Sequence, residues 1–174
     1  MARLDKRASQ YFENTPDAFW RSFQAALVAL PAYVALQLLS PEEKPMGTEI
    51  MRILLVETSS YVIGWFLFPL IMIGVIEAIG RSDRYFRFIV AWNWAIVVQV
   101  FCYLFVVIVA ASGVLPASIS AFIGFGIILA FFFYQGFIAY LILELRVPTA
   151  CMIVLIDFVF AIILHQISVL LYAG

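Results

Sequence analysis

Five apolar runs, each 20 to 27 residues long, take up most of this 174-residue chain, and few charges lie within them. They extend from Trp20 to Leu39, Ile53 to Ile79, Phe88 to Ala111, Ala117 to Leu143 and Thr149 to Tyr172. A bilayer's hydrocarbon core, ~30 Å thick, is crossed by about 20 apolar residues of helix. Within it every backbone N–H and C=O needs a partner inside the segment, which makes separate runs of this length helical. Composition argues against a water-soluble fold: 66% of the residues are hydrophobic and 12% charged, against roughly 25% charged in a soluble domain. A soluble chain of this size could not bury so much apolar surface. The expected fold class is all-α, a polytopic bundle of five transmembrane helices. It forms one domain over residues 17–174, behind an N-terminal segment 1–16.

The cations set the expected orientation. Arg3, Lys6, Arg7 and Arg21 precede or open the first run, Arg81, Arg84 and Arg87 follow the second, and Arg146 follows the fourth. With five spans these places share one side, and only Lys44 and Arg52 fall opposite. The positive-inside rule then puts the N-terminus in the cytoplasm and the C-terminus outside. Thr15-Pro16-Asp17 reads as a helix start: an N-cap, a proline at the first helical position and an acid near the positive helix end. Before it, residues 2–12 read equally as a short surface helix or a polar tail. No cleavable signal peptide is expected, because the first apolar run is too long for one. The second run poses a question of register. Counted from Ile50 it is about 45 Å long as a straight helix, so it either tilts or begins with an interfacial stretch and enters the membrane near Ser59. Pro69 is a candidate kink.

Polar residues inside the runs are the best functional leads. Asp157 sits near the middle of the last run, and His165, the chain's one histidine, follows two turns later. An intramembrane carboxylate needs a partner, a wet recess or a bound proton. The third run adds Asn93 and Gln99, the fourth Gln135, and Glu57 enters from the far side. Depth matching pairs Asp157 with Gln99 and Tyr103, and His165 with Glu57. Asp157 and His165 are ~12 Å apart along their helix, too far to bond directly. Two readings of these residues stay open. Either they join helices by hydrogen bonds of ~0.6 kcal/mol each, with Asp157 kept neutral as a donor, or Asp157 and His165 handle protons or cations along a polar seam.

Small residues mark expected contact faces between helices. Ser22, Ala25, Ala29 and Ala32 form one such stripe, and Ala117, Ser120, Ala121 and Gly124 another. Phe131, Phe132 and Phe133 surround their helix as lipid-facing bulk, and Trp92-Asn93-Trp94 reads as an interfacial aromatic belt. The turn carrying Arg81, Arg84 and Arg87 is a topology determinant, with anionic lipid or a protein partner as its secondary role. Cys102 and Cys151 fall at different depths of different runs, so no bridge between them is expected.

An enzyme is not expected. One histidine cannot supply both axial ligands of a b-type haem, and no nucleophile elbow, zinc-protease helix or nucleotide loop is present. No cofactor, metal or nucleic-acid partner is implied. The layout as a whole resembles the Yip-type membrane proteins: a short N-terminus, five closely spaced helices, a long second span with Pro69, the brief basic turn RSDRYFR and an outward C-terminus. That resemblance implies a multi-pass protein with a trafficking or assembly role, since eukaryotic members act with small GTPases in the secretory pathway. The compact, nearly loopless form is more similar to the bacterial members, which implies an inner membrane. The expected function is a scaffold or assembly factor acting on a membrane-protein partner or a second copy. The competing class is a small transporter or channel subunit.

Overall fold

The computed structural model describes residues 12–39 and 50–173, and every regular element among them is a helix. The first span is interrupted once, giving α1 (Pro16–Ser22) and α2 (Gln24–Leu39). The others are α3 (Ile50–Ala78), α4 (Tyr85–Ala111), α5 (Ala117–Ile142) and α6 (Val147–Ala173), with a 3-10 turn at Ser82–Arg84 ahead of α4. Five stretches are long and apolar enough to cross a membrane. The chain is a multi-pass helical bundle. The surface helix considered for residues 2–12 lies outside the described residues except for Phe12.

Local chemistry explains the helix ends. Thr15 Oγ1 accepts from the amide of Ala18 at 3.2 Å, with Pro16 and Asp17 in the first turn. The expected start is therefore found. Three helices stop on a residue in the left-handed region: Gly80 (φ 68) after α3, Gly113 (φ 68) after α4 and Glu144 (φ 50) after α5. After α3 the amide of Arg81 returns to Ile76 O at 3.0 Å, and after α5 the amide of Leu145 returns to Tyr140 O at 3.2 Å. Both are the closing bond of a Schellman cap. Glycine adopts this backbone freely, whereas a glutamate there costs about 1 kcal/mol.

The helix α3 is unbroken from Ile50 to Ala78, through both Ser59 and Pro69. At 1.5 Å per residue its 29 residues make about 44 Å, longer than a ~30 Å hydrocarbon core. No interfacial break separates Glu57 from the rest of the span. Antiparallel to α3, α6 keeps a constant stagger: Glu57 meets Tyr172, Ser60 bonds Ser168, and Gly64 faces Leu164. The first turns of α3 therefore project past the last turn of α6.

Packing is concentrated at one end of the bundle, the end that holds the α3–α4 and α5–α6 turns and their arginines. There Met72 and Ile76 of α3, Phe88, Ile89 and Trp92 of α4, Ile138 and Ile142 of α5 and Ile153 of α6 are all fully buried in one cluster. On α4's other side lies α2, through the stripe Ser22, Ala25, Ala29 and Ala32, each at most 2% exposed. Small side chains let these two backbones approach, as the spacing indicated. The second stripe behaves differently. All the buried residues of α5 lie between Gln135 and Ile142. Farther out α4 and α5 meet more loosely: Gly124 faces Val106, whose Cγ1 a Cβ there would meet at 3.9 Å. Beside this contact is a groove of about 490 Å³ lined by Tyr103 and Val106 on one wall and Ala117, Ser120 and Gly124 on the other.

The aromatic expectations need correction. Trp92 is no belt residue: it is fully buried and stacks on Phe68 at 4.5 Å, and only Trp94 of that group turns outward. Phe132 likewise packs inward, edge-on against Phe158 at 5.3 Å, while Phe133 is 79% exposed. In both groups, neighbours in sequence point to different sides of the helix, 100° apart.

Candidate intramembrane polar sites

Four interhelical polar groups and one charged turn hold Asp157, Gln99, Glu57, Asn93 and the three arginines singled out from the sequence. The first lies near the middle of the bundle. Gln135 of α5 donates through Nε2 to Gln99 Oε1 on α4 and to Asp157 Oδ2 on α6, each at 3.4 Å. Its amide has two protons and uses both, so one buried side chain links three helices. Asp157 and Gln99 do share a seam, but Gln135 stands between them. Both contacts exceed the usual range of roughly 2.7–3.2 Å. Gln99 Nε2 is buried and finds no hydrogen-bond partner among the described residues. Tyr103 lies farther out, lining the α4–α5 groove.

The second group is centred on Glu57. Tyr33 donates its hydroxyl to Glu57 Oε2 at 2.6 Å, and Gln37 donates to the same oxygen at 2.6 Å. The second proton of the Gln37 amide goes to the Tyr33 hydroxyl at 3.1 Å. From α6, Tyr172 donates to Glu57 Oε1. The carboxylate thus collects donors from α2 and α6 at the end of the bundle farthest from the basic turn. Depth along the sequence matches Glu57 with His165. The stagger of α3 and α6 instead puts His165 roughly 9 Å nearer the middle, on an exposed face. It is Tyr172 that stands level with the carboxylate.

Next come two smaller ties. Asn93 is buried and donates to Ser22 Oγ at 2.9 Å, while Ser22 donates to Phe19 O at 2.6 Å. This fastens the first span to α4. Ser60 and Ser168 share a bond of 2.7 Å. Because Ser168 also donates to Leu164 O at 3.0 Å, Ser60 is the donor between them. Tyr33, Gln37, Tyr172, Ser22 and the two serines were not among the sequence candidates. One signal was available: Tyr33 and Gln37 are four residues apart and share a helix face.

At the charged turn the arginines are engaged by their own chain. Arg84 Nη1 pairs with Glu144 Oε1 at 2.7 Å and donates to Ile142 O at 3.1 Å; Asp83 stands 3.5 Å from its Nε. Arg81 donates to Glu144 O at 3.3 Å. Asn14 joins the first span to the same turn, donating to Asp83 O at 2.6 Å and accepting from the Arg87 amide at 3.0 Å. Arg81 and Arg84 therefore fasten the α3–α4 turn to the α5–α6 turn. The glutamate in a left-handed cap places its carboxylate on Arg84, while its backbone carbonyl accepts from Arg81.

Both cysteines are free and exposed. Among the described residues no three His, Cys, Asp or Glu side chains gather as a metal site would require. The chemistry on display is hydrogen bonding between helices, with one weakly held carboxyl. No protein-family model matches the chain, and neither a curated protein nor a solved structure does.

Proposed function

We propose that this is a non-enzymatic membrane scaffold or assembly factor, set with its basic end toward the cytoplasm of a bacterial inner membrane, that meets other membrane components through the face of α5. The observation that carries the reading is the uneven packing. Helices are locked together at the basic end, whereas no residue of α5 before Gln135 is buried. Most polar side chains within the spans are engaged in ties between helices, which suits a framework better than a reaction centre. The resemblance to Yip-type proteins supports the same role. With Arg81 and Arg84 occupied internally, the exposed helix face, rather than the turn, is the surface offered to a partner. A photoreactive side chain at Phe122, which is 77% exposed on α5, should yield discrete protein adducts in native membranes, and one at Leu70 on α3 should not. Lipid labelling alone at Phe122 would sink the proposal.

A second reading, a proton- or cation-handling subunit using Asp157 and His165, has one observation in its favour. Among the described residues Asp157 is met by a single long contact from Gln135, and the neighbouring Gln99 amide nitrogen has no acceptor. A polar seam this loosely satisfied can accommodate a moving proton. Asp157→Asn in proteoliposomes should then abolish a pH-dependent flux and leave the protein folded; wild-type vesicles with no such flux would exclude it.

A further inference from the structure

We propose that a groove between the basic-end halves of α5 and α6 binds one anionic phospholipid, with an acyl chain between the helices and the phosphate on Arg146. The groove encloses about 650 Å³ and is walled by Phe132, Gly136 and Tyr140 on α5 and by Val147, Cys151 and Phe158 on α6. Gly136 leaves one wall without a side chain, and a Cβ there would meet only Val154 Cγ2, at 3.8 Å. At the deep end Phe132 closes on Phe158.

Its length fits one leaflet. From Val147 to Phe158 the helix rises about 16 Å, and half of a ~30 Å hydrocarbon core is about 15 Å. A chain entering at the basic end would reach the bilayer midplane where the aromatic pair stops it. The lining is apolar except at the mouth. There Arg146 directly precedes Val147, and the Tyr140 side chain is 37% exposed.

Charge selects the occupant. Arg81 and Arg84 are held by Glu144, but Arg146 is exposed and has no side-chain hydrogen bond or ion pair among the described residues. A cation at headgroup depth beside an acyl-sized groove calls for a ligand carrying both an anion and a hydrocarbon tail. The site is separate from the outer face of α5 assigned to protein contacts, so either proposal can fail alone.

Cys151 lies in the groove and reports on its occupancy. With Cys102→Ala, it is the sole thiol of the chain. Its maleimide labelling in mild detergent should be slowed more by phosphatidylglycerol than by phosphatidylcholine with the same acyl chains. The difference expected is about fivefold, the weight of one interfacial arginine. Arg146→Gln should erase it and Arg146→Lys retain it, and inorganic phosphate should not protect. Native mass spectra of the unmodified protein should show one retained phosphatidylglycerol. Equal protection by the two lipids, no protection by either, or an unchanged preference in Arg146→Gln would overturn the proposal. So would protection that rises with protein concentration in the absence of lipid, because that marks a second copy in the groove.

Discussion

A hydroxyl or amide inside a membrane span has little water to fall back on, so a buried polar residue depends on its partner. Asn93 and Ser22 show this best. Ser22 has one proton, which it gives to Phe19 O, so it can only accept from Asn93. Removing either residue leaves the other short of a bond. A double-mutant cycle with Ser22→Ala and Asn93→Ala, read by unfolding in mixed micelles, should therefore give a coupling near the membrane average of about 0.6 kcal/mol and below about 1.7. A coupling indistinguishable from zero would mean that Asn93 finds another partner. The Glu57 group predicts a larger response, because its acceptor is a carboxylate. Tyr172→Phe, which deletes one donor and keeps the ring, should destabilise by roughly 1.5–3 kcal/mol if Glu57 is ionised.

At the level of elements, the left-handed caps decide where helices stop, and the residue chosen at each records a competing demand. Gly80 and Gly113 meet only the backbone demand. Glu144 accepts strain and gains the Arg84 pair. Two substitutions separate these contributions. Both Glu144→Gly and Glu144→Ala lose the carboxylate, but only glycine relieves φ 50. Thermal unfolding should rank alanine last, below both wild type and glycine, with the two variants about 1 kcal/mol apart. If alanine equals glycine, the cap is not strained; if both equal wild type, the arginine tie contributes nothing. Arg81 and Arg84, read from the sequence as part of a topology-determining turn, are internal fasteners because the α5–α6 turn delivers Glu144 and two carbonyls to the same place.

Across the whole molecule α5 is tightly packed at the basic end and loosely packed at the other, where the Glu57 group still ties α2, α3 and α6. Lipid supplies no hydrophobic drive between helices, so close packing forms only where small residues and matched shapes allow it. Added volume should therefore matter in one half only. Ala139 is fully buried at the basic end, whereas Ala121 lines the open α4–α5 groove. Ala139→Leu should cost roughly 1–3 kcal/mol by overpacking, while Ala121→Leu should be near neutral in the same unfolding assay. Comparable losses at both sites would mean that the groove is closed in the membrane. The sequence alone determined the class of solvent, five spans, the helix start at Thr15 and the contact stripe of the first span. Each of these is a property of one segment in lipid, readable from its hydrophobicity and caps. Tertiary structure decided which polar groups meet: Gln135 between Gln99 and Asp157, Tyr172 rather than His165 level with Glu57, Trp92 in the core, and the arginines turned onto Glu144. Those outcomes depend on each helix's rotation and axial shift against its neighbours. A residue's rise of 1.5 Å and turn of 100° make a small slip enough to exchange one partner for another.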